Sequence, residues 1–292
     1  KVANDAMDVH GGKGVMMGPN NYLGRGYMAT PIAITVEGAN ILTRSLIIYG
    51  QGRIGYAISN LARSFFLALT HAKFSRVPLN TPTRRYYQNI NRFSAAFALA
   101  SDFAMLTLGG DLKKRELLSA RLGDILSSMY LASCVLKHFE NQGRRATDLP
   151  LVEWSVRTLM YQAQEALHAF LLNFPNRPIS WFLRFFIFPR GRTYKIPSDD
   201  IGRRVVELVT TPGEARERLS EYAYTTLEPG NPLGLLQEAL ELSREHEPLE
   251  KRLRQARKEG LIRAEYLGRQ IEEAANAEVI DKEEAAKLQD YH

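Results

Sequence analysis

RRYYQNINRFSAAFALASDFAMLTL, running from Arg84 to Leu108, is the stretch that decides the fold. Tyr87, Ile90, Phe93, Phe97, Ala100, Ala104 and Leu108 recur in steps of three and four, the spacing that lines up one face of an α-helix. Gly109-Gly110 ends that helix, because glycine takes the left-handed backbone that closes a helical C-terminus. Asp111 is placed to cap the next helix. That helix is read over 112–141, with Leu118, Leu122, Ile125, Met129, Ala132, Leu136 and Phe139 on one stripe. Upstream, 53–74 carries Ile54, Ala57, Ile58, Leu61, Phe65, Leu69 and Ala72 in the same rhythm. Downstream, 148–173 is a fourth helix, stopped by Pro175. Four long amphipathic helices joined by short polar turns predict an all-α, antiparallel helical bundle.

Past Pro175 the texture changes. Prolines at 175, 178, 189, 197 and 212 keep each element short, since proline cannot sit in a helix interior without losing a hydrogen bond. From about residue 231, charged Leu- and Ala-rich sequence resumes as short helices, with Glu238, Glu241, Glu245 and Lys251 on solvated faces. The chain therefore divides into 1–52, a bundle at 53–175, and an extension of short irregular helices at 176–292.

Composition narrows the function. Hydrophobic residues make up 45% and charged residues 24%, an ordinary globular balance. The net charge of +6 suits an anionic substrate, an anionic membrane or nucleic acid. Nucleic acid is the weakest of these, since no zinc-finger spacing, aromatic RNA-binding signature or basic arm is present. The single cysteine, Cys134, rules out a disulfide within the chain and reads as a small buried core residue. No apolar run reaches the roughly 18 residues of a membrane span. His71, His138 and His168 fall on separate helices without metal spacing, so no metal site is expected. The chain starts at Lys1 inside a helix-like stretch and reads as a piece of something longer.

The first fifty residues differ in kind. Asp8-Val9-His10-Gly11-Gly12-Lys13-Gly14 is a glycine-rich turn; alone it fits a helix C-terminus as well as a phosphate contact. Ala33-Ile34-Thr35-Val36-Glu37-Gly38-Ala39-Asn40-Ile41 runs an apolar stretch into an acid followed by glycine. A desolvated carboxylate is a better base near neutral pH, and glycine beside it permits close approach. Glu37 would equally suit a helix N-terminus, where it complements the dipole.

Taken together, the Gly11-Gly12 turn, Tyr22-Leu23-Gly24-Arg25-Gly26-Tyr27 and Val36-Glu37-Gly38-Ala39-Asn40 resemble the signature of the acyl-CoA dehydrogenases. Ser119-Ala120-Arg121-Leu122-Gly123-Asp124, Asn173-Phe174-Pro175-Asn176-Arg177 and Asn231-Pro232-Leu233-Gly234-Leu235-Leu236 extend the resemblance to the C-terminal part of the long-form bacterial enzymes. The resemblance implies an FAD-dependent oxidation of medium- or long-chain acyl-CoA to trans-2-enoyl-CoA, the first step of fatty acid β-oxidation. It makes Glu37 the catalytic base, with Glu37 and Gly38 against the substrate and Asp8, Gly11 and Gly12 near the FAD diphosphate. It also implies a homodimer or higher oligomer, an electron acceptor such as electron-transfer flavoprotein, and a bacterial cytoplasmic location. Many family members have Gln in place of Asp8 and Thr in place of Ala39, and carry extra sequence after the match to Gly50-Gln51-Gly52. The family's N-terminal helical and central β domains have no counterpart here, so this chain alone is expected to bind FAD poorly and not turn over. Two rivals stand beside this reading: an acyl-CoA oxidase sharing the same base, and a non-catalytic helical module for dimerisation or membrane attachment.

Ile179-Ser180-Trp181-Phe182-Leu183-Arg184-Phe185-Phe186-Ile187-Phe188 is flanked by Arg177, Arg190, Arg192 and Lys195. Aromatics ringed by cations suit either peripheral contact with the inner membrane, over 177–195, or a buried lid over the bundle.

Overall fold

The computed structural model describes residues 2–18, 21–32, 57–77 and 82–291. Among them every regular element is helical: α1 (Val2–His10), α2 (Gly24–Ala29), α3 (Ala57–Leu69), α4 (Arg84–Leu108), α5 (Glu116–Asn141), α6 (Leu149–Leu172), α7 (Arg177–Ile187), α8 (Asp199–Thr210), α9 (Glu214–Ser220), α10 (Pro232–Lys258), α11 (Leu267–Asn276) and α12 (Lys282–Tyr291). The all-α class is as the periodicity predicts. The chain forms two compact units, 29–206 and 1–28 with 207–292.

The first unit is the bundle. α5 packs along α6, α3 along α4, and α4 touches both α5 and α6, while α7 lies against α3 and α6. The short connections between these long helices make successive helices antiparallel. Phe93, Leu99, Leu122, Ile125, Leu136, Met160, Leu167, Phe170 and Leu183 fill its core. Each such side chain contributes about 1.5–3 kcal/mol by leaving water. All seven stripe residues read on α5 are buried. α4 ends at Gly109, whose φ of +49° only glycine adopts freely. Asp111 does not cap α5. It lies in a 3₁₀ turn, Gly109–Lys114, and Arg115 stands at the cap without a side-chain bond. The turn consumes the residues that the expected start at 112 would have used.

Three further expectations are corrected. Cys134 is exposed rather than buried. It lies two residues from each of the buried Ala132 and Leu136, about 200° around the helix, and so faces outward. Ile58, read onto the inner stripe of α3, is 85% exposed, and Leu67 and Ala68 are the residues that turn inward. The segment Arg84–Lys114 is long and apolar enough to cross a membrane. Its Phe93, Leu99, Ala100 and Ala104 are nonetheless core residues of the bundle.

The strap after α7 is pinned to the bundle through polar groups. Tyr194 N–H donates to Gln164 Oε1 at 2.9 Å, and Gln164 Nε2 donates back to the Tyr194 carbonyl at 3.0 Å. The Tyr194 ring packs on Phe93 with centroids 4.9 Å apart.

In the second unit, Leu253, Ala256, Ile262, Ile271, Ala274, Ile280 and Leu288 form a small core shared by α10, α11 and α12. α10 departs from the short helices expected there: it spans 27 residues and contains Pro248. It begins at an Asn231 cap whose Oδ1 accepts from Leu233 N–H at 3.2 Å, with Pro232 in the first turn. Its exposed surface is laced with pairs such as Glu247–Lys251 at 2.9 Å. α12 opens with reciprocal caps. Glu284 N–H donates to Asp281 Oδ1 at 2.8 Å, and Asp281 N–H donates to Glu284 Oε2 at 3.0 Å.

Candidate functional site

Glu37 and Gly38 lie outside the described residues. Asp8, Gly11 and Gly12 are brought together at the end of α1, where the chain passes into a 3₁₀ turn, Gly11–Gly14. Gly11 has φ +57°, the left-handed conformation that releases the chain from the helix. A Cβ built on Gly11 or Gly12 would meet nothing within 4 Å. The backbone there is open to a large anion, in keeping with two missing side chains. Gly14, in contrast, is buried against Met7, and a Cβ there would stand 3.0 Å from the Met7 Cε.

The turn is organised by a residue that sequence reasoning passed over. Asn21 is 8% exposed. Its Nδ2 donates to the carbonyls of Lys13, Gly14 and Met16 at 3.2, 2.9 and 3.0 Å. Its Oδ1 accepts from the N–H of Leu23 and Gly24 at 3.1 and 2.7 Å. One amide thus closes the glycine turn and starts α2. A Cβ at Gly24 would lie 2.7 Å from Met17 Sδ and 2.8 Å from Asn21 Nδ2, so a larger residue there would push the Asn21 amide off its bonds. The signal available in the sequence was a short polar residue three positions before a Gly-x-Gly helix start, where Asn side chains hold turns.

Beside the turn is a cavity of about 410 Å³, lined by His10, Lys13, Met16, Asn21 and Tyr22, with Pro232, Leu235 and Leu236 of α10. His10 packs edge-on against Tyr22, with centroids 5.1 Å apart, and forms part of the wall. The volume falls within the range of small-molecule pockets, and the lining is apolar with a cation at the rim. Such a hollow accepts a flat or aliphatic body that carries an anionic group. Asp8, exposed on α1, opposes an anion from its own side. Among the described residues no group of three His, Cys, Asp or Glu side chains could hold a metal ion.

The family described as acyl-CoA dehydrogenase, C-terminal, bacterial type, matches residues 51–292. No solved structure matches the chain.

Proposed function

Because the chain belongs to the bacterial-type acyl-CoA dehydrogenase C-terminal family, we propose that it forms the end of the catalytic region and the helical C-terminal part of an FAD-dependent enzyme that oxidises medium- or long-chain acyl-CoA to trans-2-enoyl-CoA. The observation that carries the reading is the family match over 51–292, directly downstream of the Thr35–Arg44 motif. An acyl-CoA dehydrogenase role follows from the family.

In this reading 1–52 completes the catalytic region, 53–175 is the bundle and 176–292 the extension. FAD, when bound, supplies the hydride acceptor. The chain's own part is proton transfer and positioning. The α-proton beside a thioester is too weakly acidic for a solvated carboxylate, so this role requires of Glu37 a setting that excludes water, and of Gly38 room for the acyl group. The proton moves to the Glu37 carboxylate as the hydride leaves the β-carbon. The Gly11-Gly12 turn fits the diphosphate end of the cofactor: it has open glycine backbone, Lys13 nearby and a cavity alongside. Asp8 opposes that fit, so Asp8→Gln is expected to tighten FAD.

The surroundings follow from the same reading: a homodimer or larger assembly, electron-transfer flavoprotein as acceptor, and a cytoplasmic enzyme resting on the inner membrane. The membrane contact is supported by α7. Its Ser180, Leu183 and Ile187 face the bundle, while Trp181, Phe182 and Phe185 are exposed. No acidic residue occurs in 174–198, whereas Arg177, Arg184, Arg190, Arg192 and Lys195 do. An anionic lipid surface complements that combination.

The test is Glu37→Gln in the enzyme that carries this region. Turnover of acyl-CoA with a dye acceptor should fall by about three orders of magnitude or more while flavin absorbance stays. Retained turnover would favour a non-catalytic module.

A further inference from the structure

Arg92 is only 3% exposed, and among the described residues no carboxylate meets it. Its Nη1 donates to His71 Nδ1 at 3.3 Å and to Thr193 Oγ1 at 3.3 Å. Its guanidinium stands 5.1 Å from the centre of the Tyr194 ring. A buried cation without a counter-ion carries a large desolvation penalty, which is why buried charges are nearly always paired. Here the neighbours make the imbalance worse. The charges acting on His71 are Arg92, Arg190, Arg85 and Lys73, all positive. The side chains of Arg190 and Lys73 make no hydrogen bond or ion pair among the described residues. Glu165, the acid that reaches this strap, is taken by Arg192 at 2.8 Å.

The backbone is unusual at the same place. His71 and Ala72 have φ of +49° and +55°, a left-handed pair without a glycine. Strain of this kind persists only where the surroundings impose it, and it gathers at binding sites. Because His71 Nδ1 accepts from Arg92, the neutral ring carries its hydrogen on Nε2, which adds a second donor. Thr193, above the guanidinium, is exposed, so the cluster opens to solvent.

We propose that Arg92 and His71, ringed by Arg190, Lys73 and Arg85, form a phosphoryl-binding site. A phosphoryl group brings several acceptor oxygens and up to two negative charges. A lone carboxylate would leave most of these donors and cations unmatched. The group belongs to an anionic lipid headgroup or to free phosphate. The strap bearing Arg190 leaves α7 directly, beside its exposed aromatics. The inference rests on no part of the dehydrogenase assignment.

The experiment uses the whole chain. Inorganic phosphate is titrated calorimetrically at fixed ionic strength. Co-sedimentation is measured with phosphatidylglycerol vesicles and with phosphatidylcholine vesicles, with and without phosphate. Wild type should bind phosphate. Arg190→Gln and Lys73→Gln, both at exposed positions, should each weaken binding about fivefold, and Arg92→Gln by more than about twentyfold. Phosphatidylglycerol binding that is competed by phosphate and reduced in the same variants assigns the lipid. Phosphate binding with no vesicle effect assigns the free ion. Where Arg92→Gln unfolds the chain, the two exposed variants carry the comparison. The proposal is overturned if wild type binds neither probe, or if folded variants bind both as wild type does.

Discussion

At the scale of the residue, Asn21 shows how much one side chain holds. It donates to three carbonyls and accepts from two amides while almost wholly buried. Asn21→Ala should cost about 2–4 kcal/mol, because buried backbone groups lose partners outright. Asn21→Asp should be at least as damaging, since a carboxylate cannot donate to the three carbonyls. Urea denaturation of both variants checks the order. His71 and His168 give a second prediction. Burial comes first in holding both below the ordinary 6.5, aided by Arg92 and other cations at His71, and by Arg192 and Arg184 at His168, where Glu165 opposes. The unfolded chain therefore takes up protons first as pH falls. Stability should be level above about pH 7 and decline as acidification passes 6.5 toward the lower folded values. The double variant His71→Gln, His168→Gln should show a shallower decline in urea midpoints over the same range. Arg92 was not legible as a key residue, because its role depends on Thr193, 101 positions away. Asn21 acts on carbonyls and amides within eight positions, and only turn chemistry marks it in the sequence.

At the scale of the element, α7 presents two faces of different character. Trp181 is 71% exposed, so Trp181→Ser should shift stability by less than about 0.5–1 kcal/mol. The same change should cut co-sedimentation with anionic vesicles several-fold. Unchanged sedimentation would return this face to the bundle's own architecture. α12 tests its cap: Asp281→Ala should cost about 1 kcal/mol by removing one side of the reciprocal pair. Elements of this kind differ in how openly the sequence declares them. α4 runs from Arg84 to Leu108 as its periodicity says, because its apolar stripe and the Gly109 stop agree. α10 outruns the short helices that its charged texture suggests, continuing for 27 residues through Pro248. Local cap chemistry at Asn231 and side-chain pairs along its surface overcame one missing backbone donor.

At the scale of the whole molecule, the bundle core and the α10–α12 cluster share no residue. Leu136→Ala and Leu288→Ala each remove a fully buried side chain and should cost about 2–5 kcal/mol in the unit that contains it. Limited proteolysis should map the new cleavage sites to 29–206 in the first variant and to the C-terminal helices in the second. Architecture on this scale was legible as an all-α bundle, since helical stripes state it directly. The pairing of 1–28 with 207–292 in one unit was not, because nothing in the chain's local patterning links its two ends.

One feature of α5 gives a practical consequence. Cys134 is the sole cysteine and points outward from the bundle. A maleimide dye or nitroxide can therefore be attached at one defined position without mutagenesis. Energy transfer to that dye from the two indoles, Trp154 and Trp181, gives a ruler within the bundle. Spin–spin broadening between labelled copies would report self-association without any change to the side chains that pack the helices.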